Sequence, residues 1–465
     1  MSDAARWTVE RVELHTRPVR FRLPFGFGGI RLVEARQLFL FALLRREGDG
    51  ARVTGASADL LLPRWLDKRS GVAADRALRE LLGMLRLVRE MAPGLEPGTI
   101  FDLATDMGRC LLQRADRARV PRLVASFAGA QFERALTDAL CRLEGIAMFE
   151  AVRRNRLGID GRRTPDLADF DLAGFLAGLR PRRRIWLRHT VGLEDPLEDE
   201  RAPGSLVRVI AETAPRFFKI KLRGEVEADL ARIERVAAVL DRRVAPYAIT
   251  LDGNEAFDPQ TLGAFLEGLL ASRRLERLRA SLLYLEQPVP RELTETAGLA
   301  AVSAPLALVL DEGDGDDDAF PRAFAHGWRG VTVKAAKGFF RALLNAARVA
   351  RWNREAGQRR AFLTSEDLTT QPGLALQQDL ALAALLGCVH SERNGHHFTG
   401  DMQGAPAEEK RAFAAHHPDL YRLCEGRIEL RIRLGRLELG SLDCPGFAAA
   451  VLPDRAWMDP LENEV

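Results

Sequence analysis

The 465-residue chain carries 68 Lys plus Arg against 65 Asp plus Glu, a net charge of +3, with 47% hydrophobic and 29% charged residues. These are globular proportions, in a chain too long for one ordinary core and so suited to two domains or a large barrel with a companion. Balanced charge without a basic stripe interleaved with aromatics leaves no expectation of nucleic acid as a partner, and no run nears the roughly 18 apolar residues of a membrane helix.

The first segment, "MSDAARWTVERVELH", lacks an apolar signal core, and the five cysteines (Cys110, Cys141, Cys388, Cys424, Cys444) contain no CxxC pair. Both features fit a cytoplasmic protein with reduced core thiols, neither secreted nor held in a membrane. Residues 7–25 and 35–50 have the composition of strands, the second closing on a GDG turn. The intervening "FGFGGI" lacks the surrounding βαβ unit of a phosphate-binding loop and is expected to be a flexible loop. Helical periodicity follows over 75–92 and over 131–155.

From about residue 180 short apolar runs alternate with amphipathic stretches such as "EADLARIERVAAVL". The runs cover 184–189, 216–222, 247–252, 281–286, 306–311, 330–335, 360–365 and 388–392, eight in all, starting 24 to 34 residues apart. Short buried strands alternating with helices predict a parallel sheet, and eight at this spacing predict a TIM barrel, whose strand C-termini build the active site. A helix over 408–424 and a strand-like tail over 427–439 complete the pattern.

Only six of the 68 basic residues are lysine, and four of them (Lys219, Lys221, Lys334, Lys337) lie in two short apolar runs. Lysine gives up its proton when buried and arginine does not, so this placement points to chemistry. Lys219 and Lys221 are two residues apart on the second strand and share its inner face, where mutual repulsion is expected to lower one pKa. The third, fourth and fifth strands end in Asp252, Glu286 and Asp311. Three adjacent carboxylates repel one another unless a cation joins them, and hard oxygen ligands suit Mg²⁺, with Mn²⁺ as a substitute. Lys334 ends the sixth strand, across the barrel axis from the second. Metal-ligating carboxylates flanked by two lysines suit removal of a proton α to a carboxylate: a cation stabilises the developing charge, a base on one face takes the proton, and a group on the other face returns one or assists a leaving group.

The motifs "KIK" (219–221), "DGN" (252–254), "EQP" (286–288), "DE" (311–312) and Lys334, in this order, resemble the enolase superfamily, specifically its muconate-lactonizing-enzyme-like subgroup within the mandelate racemase/muconate lactonizing enzyme family. The resemblance covers most of the chain. It implies an α/β fold: an α+β capping domain over 1–150, a modified TIM barrel, (β/α)7β, over 180–405, and a segment over 406–465 returning to the cap. It implies Asp252, Glu286 and Asp311 as Mg²⁺ ligands, Lys221 and Lys334 as the acid/base pair, Lys219 tuning Lys221, and Asn254 supporting the metal shell. The stretches "RLPFGFGGI" and "TGASADLLLPRW" would be the cap loops that close over substrate. Remaining candidates for substrate contact are His189, Ser365, Glu366, Asp367, His390 and Glu392.

The chain departs from the subgroup after Lys334, where "AAKGFF" stands in place of a double glycine, and at the eighth strand, where "HSERNGHH" lacks the Asp-x-Asp that holds an amino group in dipeptide epimerases. The expected partner is a small-molecule carboxylate substrate; a homo-oligomer is left open. Racemisation or epimerisation, cycloisomerisation and syn-elimination (a dehydratase or synthase) all fit the lysine pair. A non-enzymatic barrel scaffold would have no physical reason to keep five ionisable groups converging on one mouth, and a metal hydrolase would be expected to place histidine ligands at the early strand ends. The acidic run "GDGDDDAF" (313–320) fails as a calcium loop, with Ala319 and Ala325 where Gly and Glu belong, and is expected to be a solvated helix start. The pairs His396/His397 and His416/His417 lack zinc spacing and are expected at the surface.

Overall fold

The structure, a computed structural model, describes residues 4–461 apart from 28–29, 297 and 300–305. Two strands, β1 (Trp7–Phe27) and β2 (Ile30–Arg46), form a long antiparallel hairpin, and β3 (Arg52–Leu61) pairs on the other side of β2. The chain end returns to this sheet, where Asp459–Pro460 pairs antiparallel with β1. Three helices pack with the sheet: α1 (Ala74–Met91), α2 (Ile100–Ala118) and α3 (Arg122–Glu144). The periodicity over 75–92 matches α1. Helix α2 went unrecognised, although its start is written in a capping box: Asp102 N–H donates to Thr99 Oγ1 at 3.1 Å and Thr99 N–H donates to Asp102 Oδ2 at 2.9 Å.

Helix α3 is buried on all sides from Leu123 to Cys141, so it shows little amphipathic periodicity, and it begins earlier than 131. It ends at Gly145, whose φ of +67° reverses the chain, and Met148–Arg153 is a separate short helix rather than its continuation. Its polar residues tie the molecule together. Arg134 donates to Asp59 Oδ2 (2.9 Å) on β3 and to Gln378 Oε1 (3.2 Å), while Asp138 accepts from the N–H groups of Ala56 (2.9 Å) and Phe447 (2.7 Å). At Gly55 on β3 the approach is so close that a Cβ would lie 2.1 Å from the Ala135 carbonyl oxygen. Gly55→Ala is therefore expected to destabilise the protein by about 1–3 kcal/mol or more; a urea midpoint equal to that of the wild type would contradict this packing.

Eight parallel strands follow: β4 (Arg184–Val191), β5 (Phe217–Lys221), β6 (Ala248–Asp252), β7 (Leu282–Glu286), β8 (Leu308–Leu310), β9 (Gly330–Val333), β10 (Phe362–Ser365) and β11 (His390–Glu392). Each pairs with the next and β11 pairs with β4, closing the barrel expected from the eight runs. The α/β fold with a modified TIM barrel and an antiparallel-sheet cap is thus present. The alternation of small periods works as expected on β5: Phe218, Ile220 and Leu222 are buried in the core between strands and helices, and the lysines point the other way. Register sets the level of the strand ends, with Lys221 opposite Asp252 and Asp252 opposite Glu286.

Several local expectations are corrected. Phe25 and Gly26 of "FGFGGI" belong to the strand pairing of the hairpin, not to a flexible loop; Gly28 and Gly29 lie outside the described residues. Most of "TGASADLLLPRW" is strand β3, and only its end, Leu62–Trp65, turns toward the barrel. The helix expected over 408–424 stops at His416, and Tyr421–Cys424 pairs with Arg427–Leu430 in a hairpin. The acidic run does lead into a helix, Ala319–Ala325, with Asp318 at its N-cap, but Asp316 and Asp317 are ion-paired rather than solvated: Arg122 reaches Asp316 (2.7 Å), and Arg163 (2.7 Å) and Arg341 (3.4 Å) reach Asp317. His397 and His417 are buried, packed by neighbours brought in from distant parts of the chain.

Candidate active site

The strand ends place a dense set of buried charges at the C-terminal mouth. Lys219 Nζ lies 2.7 Å from Asp252 Oδ2, 3.1 Å from Glu286 Oε1, 2.7 Å from Glu366 Oε1 and 2.6 Å from Glu392 Oε2. Lys221 Nζ donates to the same Asp252 Oδ2 at 2.6 Å and to Asn254 Oδ1 at 2.8 Å. On the far side Lys334 Nζ donates to Asp311 Oδ2 at 2.7 Å, lies 3.2 Å from Glu366 Oε2, and sits 4.4 Å from the centre of the Trp65 ring. Lys337, in the stretch that replaces the double glycine, holds Asp311 from behind at 3.3 Å and Thr332 Oγ1 at 2.8 Å.

These contacts set the electrostatics. Burial works against the charge on Lys219, but its carboxylate neighbours Asp252, Glu286, Glu366 and Glu392 outweigh it and hold the ammonium well above its ordinary pKa. The expected lowering by a neighbouring lysine is therefore not what Lys219 experiences; four carboxylates exceed one ammonium. Lys334 is raised in the same way by Asp311 and Glu366. Glu286 is pushed well above the carboxylate range by burial and by the charge of Glu366, whereas Glu366, equally buried, is held well below it by Lys219, Lys334 and Arg188.

The other candidates divide by strand alternation. Glu366 and Glu392 face inward and Asp367 lines the mouth. Ser365 points the opposite way, its hydroxyl 2.7 Å from that of Ser391, because its neighbours Thr364 and Glu366 occupy the inner face. His189 is likewise on the outer face, 5.2 Å from the His397 ring; β4 runs on to Val191, so its inward residues are Arg188 and Thr190. His390 does share a face with Glu392 but lies a layer deeper, stacked on Phe217 and 2.6 Å from Arg188, not at the mouth. Asn254 is in place, its backbone N–H donating to Asp252 Oδ1 at 2.9 Å and its side chain to Glu312 at 3.1 Å.

Arg188 was missed. Fully buried inside the barrel, it donates to Glu366 Oε1 at 2.6 Å and to Thr364 Oγ1 at 3.0 Å. The alternation Trp186, Arg188, Thr190 carries its signal, hidden by ending the strand at 189. The two stretches expected to close over substrate do reach the mouth: Phe25 of the first and Leu62 and Trp65 of the second line it with Leu368. Lys68 anchors the second, donating to the Asn254 carbonyl at 2.9 Å and pairing with Glu255 (3.0 Å) and Glu312 (3.2 Å), while Arg291 donates to the Leu66 carbonyl at 2.9 Å. The cavity beneath has a volume of about 30 Å³, room for roughly two waters. A larger hollow of about 960 Å³ lies at the other end of the barrel, around Phe217, Tyr284, Phe362 and His390, away from every strand-end carboxylate.

Whether the mouth suits a cation is decided by its oxygens. Glu286, Asp311 and Glu366, all buried, each offer an oxygen within 4.8 Å of the others, and Glu286 Oε2 has no hydrogen-bond partner. Buried like charges with an unsatisfied oxygen fit a hard divalent ion.

No protein-family model matches the sequence, and no curated protein does. Solved structures do. The muconate lactonizing enzyme from Pseudomonas fluorescens, complexed with muconolactone, aligns over 97% of this chain and 98% of its own with TM-score 0.59 and 18% identity. An enolase from Bradyrhizobium, complexed with magnesium and mandelic acid, aligns over 97% of both chains with TM-score 0.59 and 16% identity. A dipeptide epimerase from Enterococcus faecalis V583, complexed with Mg and the dipeptide L-Leu-L-Tyr, aligns over 95% of this chain and 99% of its own with TM-score 0.61 and 14% identity. The resemblance expected from the motifs is met at the level of the fold, which this chain shares with these solved structures. Among the described residues, no helix is long and apolar enough to cross a membrane.

Proposed function

We propose that this protein is an enzyme that removes the proton α to a carboxylate of a small molecule, acting as a racemase or epimerase or as a cycloisomerase, with Lys221 and Lys334 as the acid/base pair and Asp252, Glu286 and Asp311 holding Mg²⁺. The observation that carries this reading is the placement of Lys221 and Lys334 on strands across the barrel from each other, each tied to a different carboxylate of one buried cluster. A bound divalent cation would supply positive charge where the substrate carboxylate gains negative charge, and would offset the carboxylates that hold Lys334 protonated.

The residues divide the remaining work. A substrate between the two lysines exposes one face to each, so one takes the α-proton and the other delivers a proton to the opposite face. Lys219, held protonated by four carboxylates, serves as a fixed charge beneath the reacting groups rather than as a base. Phe25, Leu62, Trp65 and Leu368 present an apolar wall that excludes water and disfavours a charged substrate tail. The absence of Asp-x-Asp at β11 favours a substrate without the amino group of a dipeptide. Because the enclosed cavity is small, the Leu62–Lys68 segment must shift for substrate to enter.

The test is incubation with a panel of α-substituted carboxylates in D₂O and Mg²⁺. Mass increase by one at the α-carbon is the expected result for the true substrate class; a broad panel with no exchange would argue for a non-enzymatic barrel.

A further inference from the structure

We infer that Glu366, on the seventh barrel strand, is itself a ligand of the divalent cation, an addition to the set expected from the third, fourth and fifth strands. This rests on the proposed cation site. Three observations carry it. First, Glu366 belongs with Glu286 and Asp311 to the group whose oxygens converge within 4.8 Å, and Asp252 does not. Second, Glu286, which is 0% exposed, leaves Oε2 without a partner among the described residues. A wholly buried carboxylate oxygen left unpaired beside other carboxylates is costly, and a cation shared with Glu366 and Asp311 removes that cost. Third, Glu366 and Asp311 line a small cavity of ion and water size at the mouth, alongside Asp252 and Glu392, so the site is reachable while convergence on Glu286 distinguishes Glu366 from those two.

Glu366 also contacts Lys334 and is oriented from below by Arg188. It therefore joins the cation position to Lys334, as Asp311 does from the fifth strand. The competing account is that Glu366 is only the counter-ion of buried Arg188. The two accounts differ in what an equal loss of charge nearby does. Glu392 provides the comparison, since it touches the same Lys219 at 2.6 Å and is just as buried but lies outside the converging group.

The experiment is Mn²⁺ titration of the full-length protein, free Mn²⁺ being read by electron paramagnetic resonance. Wild type and Glu392→Gln are expected to bind alike, within about threefold, and Glu366→Gln to bind about 10- to 100-fold more weakly. Should Glu366→Gln fail to fold by circular dichroism, Glu366→Asp decides: it keeps the charge that Arg188 requires and withdraws the oxygens by one methylene, and about a tenfold loss is expected. Glu366 variants that bind within threefold of a binding wild type, or a Glu392→Gln loss equal to that of Glu366→Gln, overturn the inference while leaving the cation site standing. A wild type that binds no Mn²⁺ overturns both.

Discussion

Lys221→Ala and Lys334→Ala are each expected to lower turnover of the true substrate by about 100- to 10,000-fold, the usual worth of a positioned acid or base, with the fold retained. Each lysine sits at a strand end with its ammonium bound to a carboxylate, so truncation removes a functional group without opening the hydrophobic core. The sharper expectation concerns stereochemistry. Strands β5 and β9 stand four apart in a ring of eight, so the lysines approach a bound substrate from opposite sides. In D₂O the Lys334→Ala protein should still exchange the α-proton of the enantiomer that faces Lys221, and the Lys221→Ala protein that of the mirror form. Full activity in both variants would remove the lysine pair from the mechanism; loss of exchange for both enantiomers in either variant would point to a single base.

Cation affinity is expected to rise with pH, and Glu286 is the reason. Burial and the charge of Glu366 raise its pKa well above the carboxylate range, so in the cation-free protein it keeps a proton to higher pH than an ordinary glutamate. A carboxylate must lose that proton before it ligates. Below the raised pKa, affinity should therefore increase by up to about tenfold per pH unit, with release of about one proton, and level off above it. Calorimetry in two buffers of different ionisation enthalpy reads the proton directly. The stability of the cation-free protein runs the opposite way. Protonated Glu286 favours the cation-free fold fully below its unfolded pKa, and this contribution is lost as pH rises through the raised folded value. Added Mg²⁺ should therefore raise Tm more at pH 8 than at pH 5.5. Glu286→Gln should weaken binding by about 10- to 100-fold or more and abolish the pH dependence. A wild-type affinity independent of pH would take Glu286 out of the ligand set.

The barrel was legible because its strands are short, apolar and evenly spaced, and because period-two alternation needs nothing but neighbouring residues. The same alternation misled where a strand end was placed two residues early: ending β4 at His189 put an outward histidine at the mouth and hid Arg188 inside. Helix α3 failed in the opposite way. Being buried on every side, it carries no polar stripe to mark its start, whereas α2 had a capping box that local reading could have found.

Six lysines among 68 basic residues, three carboxylates at successive strand ends and their order along the chain are properties of the sequence alone, and they were enough to name a fold and a class of chemistry. Partner choice among those charges was decided only by the tertiary structure. Lys219 and Lys221 share Asp252, Lys219 reaches Glu366 as well, and Glu366, from a strand that closes the ring much later in the chain, converges with Glu286 and Asp311. Neighbours then separate like residues: burial works to raise both glutamates, but Lys219, Lys334 and Arg188 hold Glu366 low while Glu286 stays raised. The physical reason is that charge interactions in a low-dielectric interior depend on distances of a few ångströms between groups far apart in sequence, and no spacing along the chain records those distances.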